Sequence, residues 1–171
     1  MKTLVNLPAA AAPTAPAPGK YLTFVLGGES YGLTVLQVRE IIRPMSVTPV
    51  PRLPRHILGV INLRGKVVPI FDLRLKFGLP LPATVERACV IVAQAKLASG
   101  LPAHIGLLVD TVEEVVALTA ENIDDTPAFG FETPTQYIMG VARLGDEVKL
   151  LLNLDQVLHD ESNDSAGASL L

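Results

Sequence analysis

Apolar residues fall along the chain in short runs, each interrupted by glycine, proline or a charge. Residues 21–26 and 31–35 carry aromatic and β-branched side chains on either side of Gly27-Gly28-Glu29-Ser30, which predicts a hairpin. Val35, Val38, Ile41 and Ile42 then fall at helical spacing and predict one or two helical turns over 35–42, ended by Pro44. Prolines at 44, 49, 51 and 54 keep the next stretch out of any central strand, so it should run at an edge or as a shaped loop. Residues 59–63 and 66–71 read as two strands joined across Arg64-Gly65, where Gly65 supplies the positive φ of a tight turn.

Asp72 is placed to cap a short helix through Phe77, closed by Gly78 and Pro80. The segment 80–86 reads as a connection, with a second half of the domain starting near residue 85. Further strands are expected at 87–95, 104–109 and 112–118, then an irregular surface loop over 119–135. Two more strands, 137–144 and 147–152, flank Gly145-Asp146, and a short helix over 153–159 closes the domain. Helices long enough for βαβ crossovers are missing, so the fold class is all-β, small barrels or a sandwich with short helices. No internal sequence repeat stands out. Residues 1–19, with Pro8, Pro13, Pro16, Pro18 and an alanine run, read as a disordered leader, and 161–171 as a flexible tail.

Composition narrows the function classes. With 171 residues, 49% of them hydrophobic, the chain can bury a core. A net charge of −3 without a Lys/Arg cluster argues against nucleic acid as a partner. Mean hydropathy is +0.41, yet every apolar run stops short of the roughly 18 residues of a membrane span, and the leader's prolines break up any signal-peptide core. Cys89, the single cysteine, excludes an internal disulfide and, inside Ala88-Cys89-Val90-Ile91-Val92, is expected in the core. The histidines at 56, 104 and 159 are too scattered for a zinc site. There is no G-x-S-x-G elbow, P-loop or G-x-G-x-x-G, and Glu113-Glu114 and Asp124-Asp125 are poor acid–base pairs, because neighbouring acids on a strand face opposite ways and acids in loops are solvated. No cofactor is expected, and the reading is non-enzymatic.

Arg64 is the most informative polar residue. It is either a solvated turn residue or, with its direction fixed by a tight turn, a fork of donors for a partner's carboxylate or carbonyls. Glu40 reads as the solvated face of a short helix, or with Val38 as the rim of a groove.

Taken in order, Tyr31-Gly32-Leu33, Val38-Arg39-Glu40-Ile41, Gly59-Val60-Ile61-Asn62-Leu63-Arg64-Gly65, Val67-Val68-Pro69-Ile70-Phe71-Asp72-Leu73-Arg74, Gly106-Leu107-Leu108-Val109-Asp110 and Tyr137-Ile138-Met139-Gly140-Val141 resemble the CheW family of bacterial chemotaxis coupling proteins. The resemblance implies two small SH3-like five-stranded β-barrel subdomains packed together over residues 20–160. It also implies a non-catalytic adaptor linking the cytoplasmic tips of chemoreceptors to the CheW-like regulatory domain of the histidine kinase CheA. The protein would then be cytoplasmic, at receptor arrays beneath the inner membrane, meeting the membrane only through receptors. The receptor groove implied for this sequence comprises Val38, Glu40, Asn62, Arg64, Gly65, Val90 and Val115. A long Pro/Ala leader and a long-looking 95–103 loop depart from the family pattern. Alternatives are a CheW-like adaptor of a type IV pilus or other chemosensory system, and a small ligand-binding barrel, the latter weakened by the lack of tryptophan and of basic patches.

Overall fold

The structure, a computed structural model, describes residues 16–81, 86–97, 99–124 and 135–164, the last stretch with side chains for 136–159. Residues 1–15 of the leader, position 85, residues 125–134 of the expected loop, and 165–171 of the expected tail lie outside the described residues.

Among the described residues, eleven strands form two sheets. They are β1 (Gly19–Leu26), β2 (Glu29–Thr34), β3 (Val38–Ile42), β4 (Ile57–Leu63), β5 (Lys66–Asp72), β6 (Cys89–Lys96), β7 (Pro102–Val109), β8 (Thr111–Leu118), β9 (Ile123–Asp124), β10 (Ile138–Leu144) and β11 (Glu147–Leu152). The helices are α1 (Leu73–Phe77) and α2 (Leu154–Asp164). Sheet order is β8-β1-β2-β11-β10-β9 in barrel A and β3-β6-β7-β5-β4 in barrel B, each with one parallel pair among antiparallel neighbours. This is the expected all-β architecture of two SH3-like barrels, with the two-residue β9 as a sixth strand of barrel A.

Strands β1, β5, β6, β7 and β11 carry runs of consecutive buried residues and so bury both faces, which explains their nearly unbroken apolar sequence, whereas β3 and β8 stay largely exposed. In β6, Val90 and Val92 point into barrel B with Ile61, Val68 and Ile70, while Ile91, Ala93 and Ala95 point the other way. Barrel A has its own interior around Tyr21, Leu118, Ala142 and Leu151. The largest cluster lies between the barrels and draws on both, with Phe24, Tyr31, Leu33, Phe71, Ile91, Leu107 and Leu152 all fully buried.

Five expectations are corrected. Residues 35–42 are not helical: a 3-10 turn at Val35–Gln37, capped by the Thr34 hydroxyl, leads straight into β3, because the Val38–Ile42 backbone completes its hydrogen bonds against β6. The 119–135 stretch is not irregular throughout: a 3-10 turn at Ala120–Asn122 and β9 occupy its start. The closing helix starts after Asn153 but continues to Asp164, into the segment expected to be loose. Cys89 opens β6 and is half-buried rather than in the core, with its thiol 3.5 Å from the Arg87 carbonyl. A boundary near residue 85 does not divide the barrels, since barrel A takes β1, β2 and β8–β11 and encloses barrel B's strands in sequence.

The two barrels are related at one place although no sequence repeat stands out. The β4–β5 and β10–β11 hairpins, 81 residues apart, align without a gap through Ile57/Ile138, Gly59/Gly140, Val60/Val141, Leu63/Leu144, Val67/Val148 and Leu73/Leu154. Both place a register shift at the same point, between Ile57 and Gly59 and between Ile138 and Gly140, and both run into a helix.

Candidate functional site

The β4–β5 turn is built by two residues in the left-handed region, Arg64 at φ 51° and Gly65 at φ 86°. Two positive φ angles give a two-residue turn whose twist matches its strands. The Asn62 side chain accepts a hydrogen bond from the Gly65 amide at 2.8 Å and ties the turn across itself. Strained into this conformation, Arg64 sends its guanidinium to the Glu40 carboxylate on β3. β3 and β4 are the two ends of barrel B's sheet order, so this ion pair spans the seam at which the barrel closes.

Under the pair lies an open depression of about 470 Å³, bordered by Arg39, Glu40, Leu63, Arg64, Lys66 and His104 and floored by Val68 and Val92. The floor is therefore the barrel's own apolar interior, and the rim carries Arg39, Arg64 and Lys66 against a single carboxylate. Arg39 is steadied by Gln94, whose Oε1 accepts from Nε at 3.0 Å and Nη2 at 2.6 Å. The arrangement suits an apolar side chain with an acidic neighbour; among the described residues no group of His, Cys, Asp and Glu could hold a metal.

The structure brings Glu40, Asn62, Arg64 and Gly65 together at this mouth and separates the other three candidates. Val90, 3% exposed, is inside barrel B. Val38 is half-buried and packs on the cluster between the barrels. Val115 is 55% exposed on β8, an edge strand of barrel A, opposite Leu22. Arg39, Lys66 and His104 also border the mouth and are not among the candidate groove residues. Lys66 follows the turn directly, and that was the available signal; His104 reaches the mouth only through the β6–β7 pairing.

A second polar assembly explains two sequence blocks that carry no surface role. Arg74 on α1 donates to both Asp72 oxygens, Nε and Nη2 at 2.9 Å each, and from Nη1 to Asp110 at 2.8 Å. Asp72 also caps α1 by accepting from the Arg74 amide, and Asp110 accepts from the Gly27 amide at 2.9 Å. All three side chains are buried or nearly so. The hydrogen bond to Asp72, with both carboxylates' charge, raises the Arg74 guanidinium above its already high ordinary value, against the opposing effect of burial. Because α1 follows barrel B and Gly27 belongs to barrel A, the triad clamps the barrels together. In barrel A, buried Lys149 meets Glu113 at 3.3 Å, Glu147 at 3.5 Å and the Ser30 hydroxyl at 3.0 Å, and Ser30 donates to Glu113 at 2.5 Å, tying β2, β8 and β11.

Paired barrels, a shallow charged mouth and ionisable clusters that brace strands define a scaffold that recognises other proteins. Comparison with known proteins agrees. Residues 20–162 match the CheW-like domain, and the chain belongs to that family of non-catalytic chemotaxis scaffold proteins. It is 39% identical to chemotaxis protein CheW of Klebsiella aerogenes over 83% of this chain and 82% of that one, and 31% identical to that of Bacillus subtilis over 86% and 91%. The crystal structure of scaffolding protein TtCheW from Thermoanaerobacter tengcongensis superimposes with a TM-score of 0.73 at 30% identity, covering 84% of this chain and 92% of that one. Among the described residues no helix is long and apolar enough to cross a membrane.

Proposed function

We propose that this chain couples the cytoplasmic tips of chemoreceptors to the CheW-like regulatory domain of a CheA-type histidine kinase, working at receptor arrays beneath the inner membrane and meeting the membrane only through receptors. The folding unit for this task is residues 20–160. The observation that carries the reading is the Glu40–Arg64 pair held across the mouth of barrel B above an apolar floor. The paired charges set orientation and reject mismatched partners, while the floor supplies contact area for an apolar anchor. A helix presenting apolar residues at i, i+3 and i+4 with an acidic neighbour meets both demands. Val38 and Val115 lie away from this mouth and are not part of the surface proposed here, while Val90 supports it from inside the barrel.

Arg64→Glu tests it. The variant should keep the circular dichroism spectrum of the wild type, because Arg64 is largely exposed, and lose at least about tenfold in affinity for a receptor cytoplasmic hairpin, as expected of a recognition residue contributing 1.4 kcal/mol or more. Combining it with Glu40→Arg should restore the intramolecular pair without restoring binding. Unchanged affinity in Arg64→Glu removes this mouth from the receptor site.

A further inference from the structure

The segment entering β1 is seated on the domain at one defined place. A methyl group built on Gly140 of β10 would lie 2.5 Å from Pro16 Cγ and 3.3 Å from Pro16 Cδ, so the half-buried proline ring occupies the space where any other residue at 140 would carry its side chain. One residue on, the Tyr21 hydroxyl donates to the Ala17 carbonyl at 2.7 Å. Tyr21 is 2% exposed and belongs to the interior of barrel A. Two contacts of different chemistry, one steric and one polar, therefore hold consecutive residues.

The relation between the hairpins shows what this notch is for. Its counterpart in barrel B is Gly59, where a methyl would lie 2.2 Å from the Thr48 carbonyl oxygen and 2.9 Å from Val47 Cγ1; the stretch before β4 fills that notch by itself and bridges to Val60. In barrel A the corresponding bridge is β9, with Asp124 opposite Val141; a methyl on Gly140 would touch the Asp124 carbonyl oxygen at 3.1 Å, a milder contact than the 2.2 Å at Gly59, and the neighbour it would meet most closely is Pro16. Proline suits the place: the ring is compact, has no N–H to leave unpaired, and has its φ already fixed, while Pro18 confines Ala17 to an extended backbone. Little conformational freedom is lost on docking.

We infer that Gly140, β9 and Tyr21 form a proline-docking site on barrel A, occupied by Pro16 of this same chain. The site is independent of the receptor surface proposed on barrel B.

The test is backbone 15N relaxation on the full chain. In the wild type the heteronuclear NOE of Ala17 should match that of β1 residues. In Pro16→Ala, which removes the ring, and in Gly140→Ala, which fills the notch from below, it should fall toward the value of a free terminus, while β10 and β11 keep theirs. Tyr21→Phe, which removes only the hydroxyl, should loosen Ala17 part of the way. An Ala17 that is already mobile in the wild type, or still rigid in Pro16→Ala, overturns the assignment.

Discussion

Arg74 sits between two carboxylates in a nearly dry junction, and its removal leaves both without a counter-charge. Losing one partner of a buried ionic assembly costs about 3–5 kcal/mol. Arg74→Met, which keeps the stem's volume, should therefore lower unfolding free energy by about that amount in urea titrations. Arg64 behaves differently. Its pair with Glu40 is exposed and contributes about 0–1 kcal/mol, and glycine relieves the left-handed backbone, so Arg64→Gly should leave stability within about 1 kcal/mol of wild type. Tyr21 supplies a pH dependence. Burial pushes its phenol above the ordinary value near 10, so the folded state holds the proton more firmly than the unfolded chain. Its contribution to stability is complete below the unfolded value and is lost as pH rises through the folded one. Alkaline denaturation followed by fluorescence should shift upward in Tyr21→Phe, and no change between pH 9 and 12 would contradict this.

At the level of elements, hydrogen exchange should rank the strands by position. β6 and β7 lie inside barrel B's sheet with apolar contacts on both faces and should exchange slowest, whereas the two-residue β9 should exchange among the first. The strands themselves were legible because turns punctuate them: Gly27-Gly28, Arg64-Gly65 and Gly145-Asp146 each stand where the structure turns. β3 is not legible locally, since Val35, Val38, Ile41 and Ile42 fit a helical period and only pairing with the sequence-distant β6 decides for a strand. The relation between the hairpins is faint in the sequence because they share residues chiefly at the bulge, turn flank and helix entry, while their interiors differ, as in Ile61 against Ala142 and Val68 against Lys149. Of the candidate site, the turn residues and Glu40 could be read locally. The burial of Val90 and the distance of Val115 from the turn depend on how two barrels are threaded.

Over the whole molecule, the largest apolar cluster belongs to neither barrel alone, and the Arg74 triad crosses the same boundary. The barrels should accordingly unfold together. Leu107, fully buried between them, should cost about 2–5 kcal/mol when cut to alanine, in one transition with coincident fluorescence and far-UV signals; two separated transitions would show independent barrels. A rigid two-barrel body with distinct surfaces is what coupling two partners requires. The direct measurement is analytical ultracentrifugation of the purified chain with a receptor cytoplasmic hairpin and a kinase regulatory domain, each alone and together. Coupling predicts two binary complexes and a ternary one that sediments faster than either, with the receptor-bound species lost in Arg64→Glu. Binding to neither partner, with both shown to be folded, would contradict it.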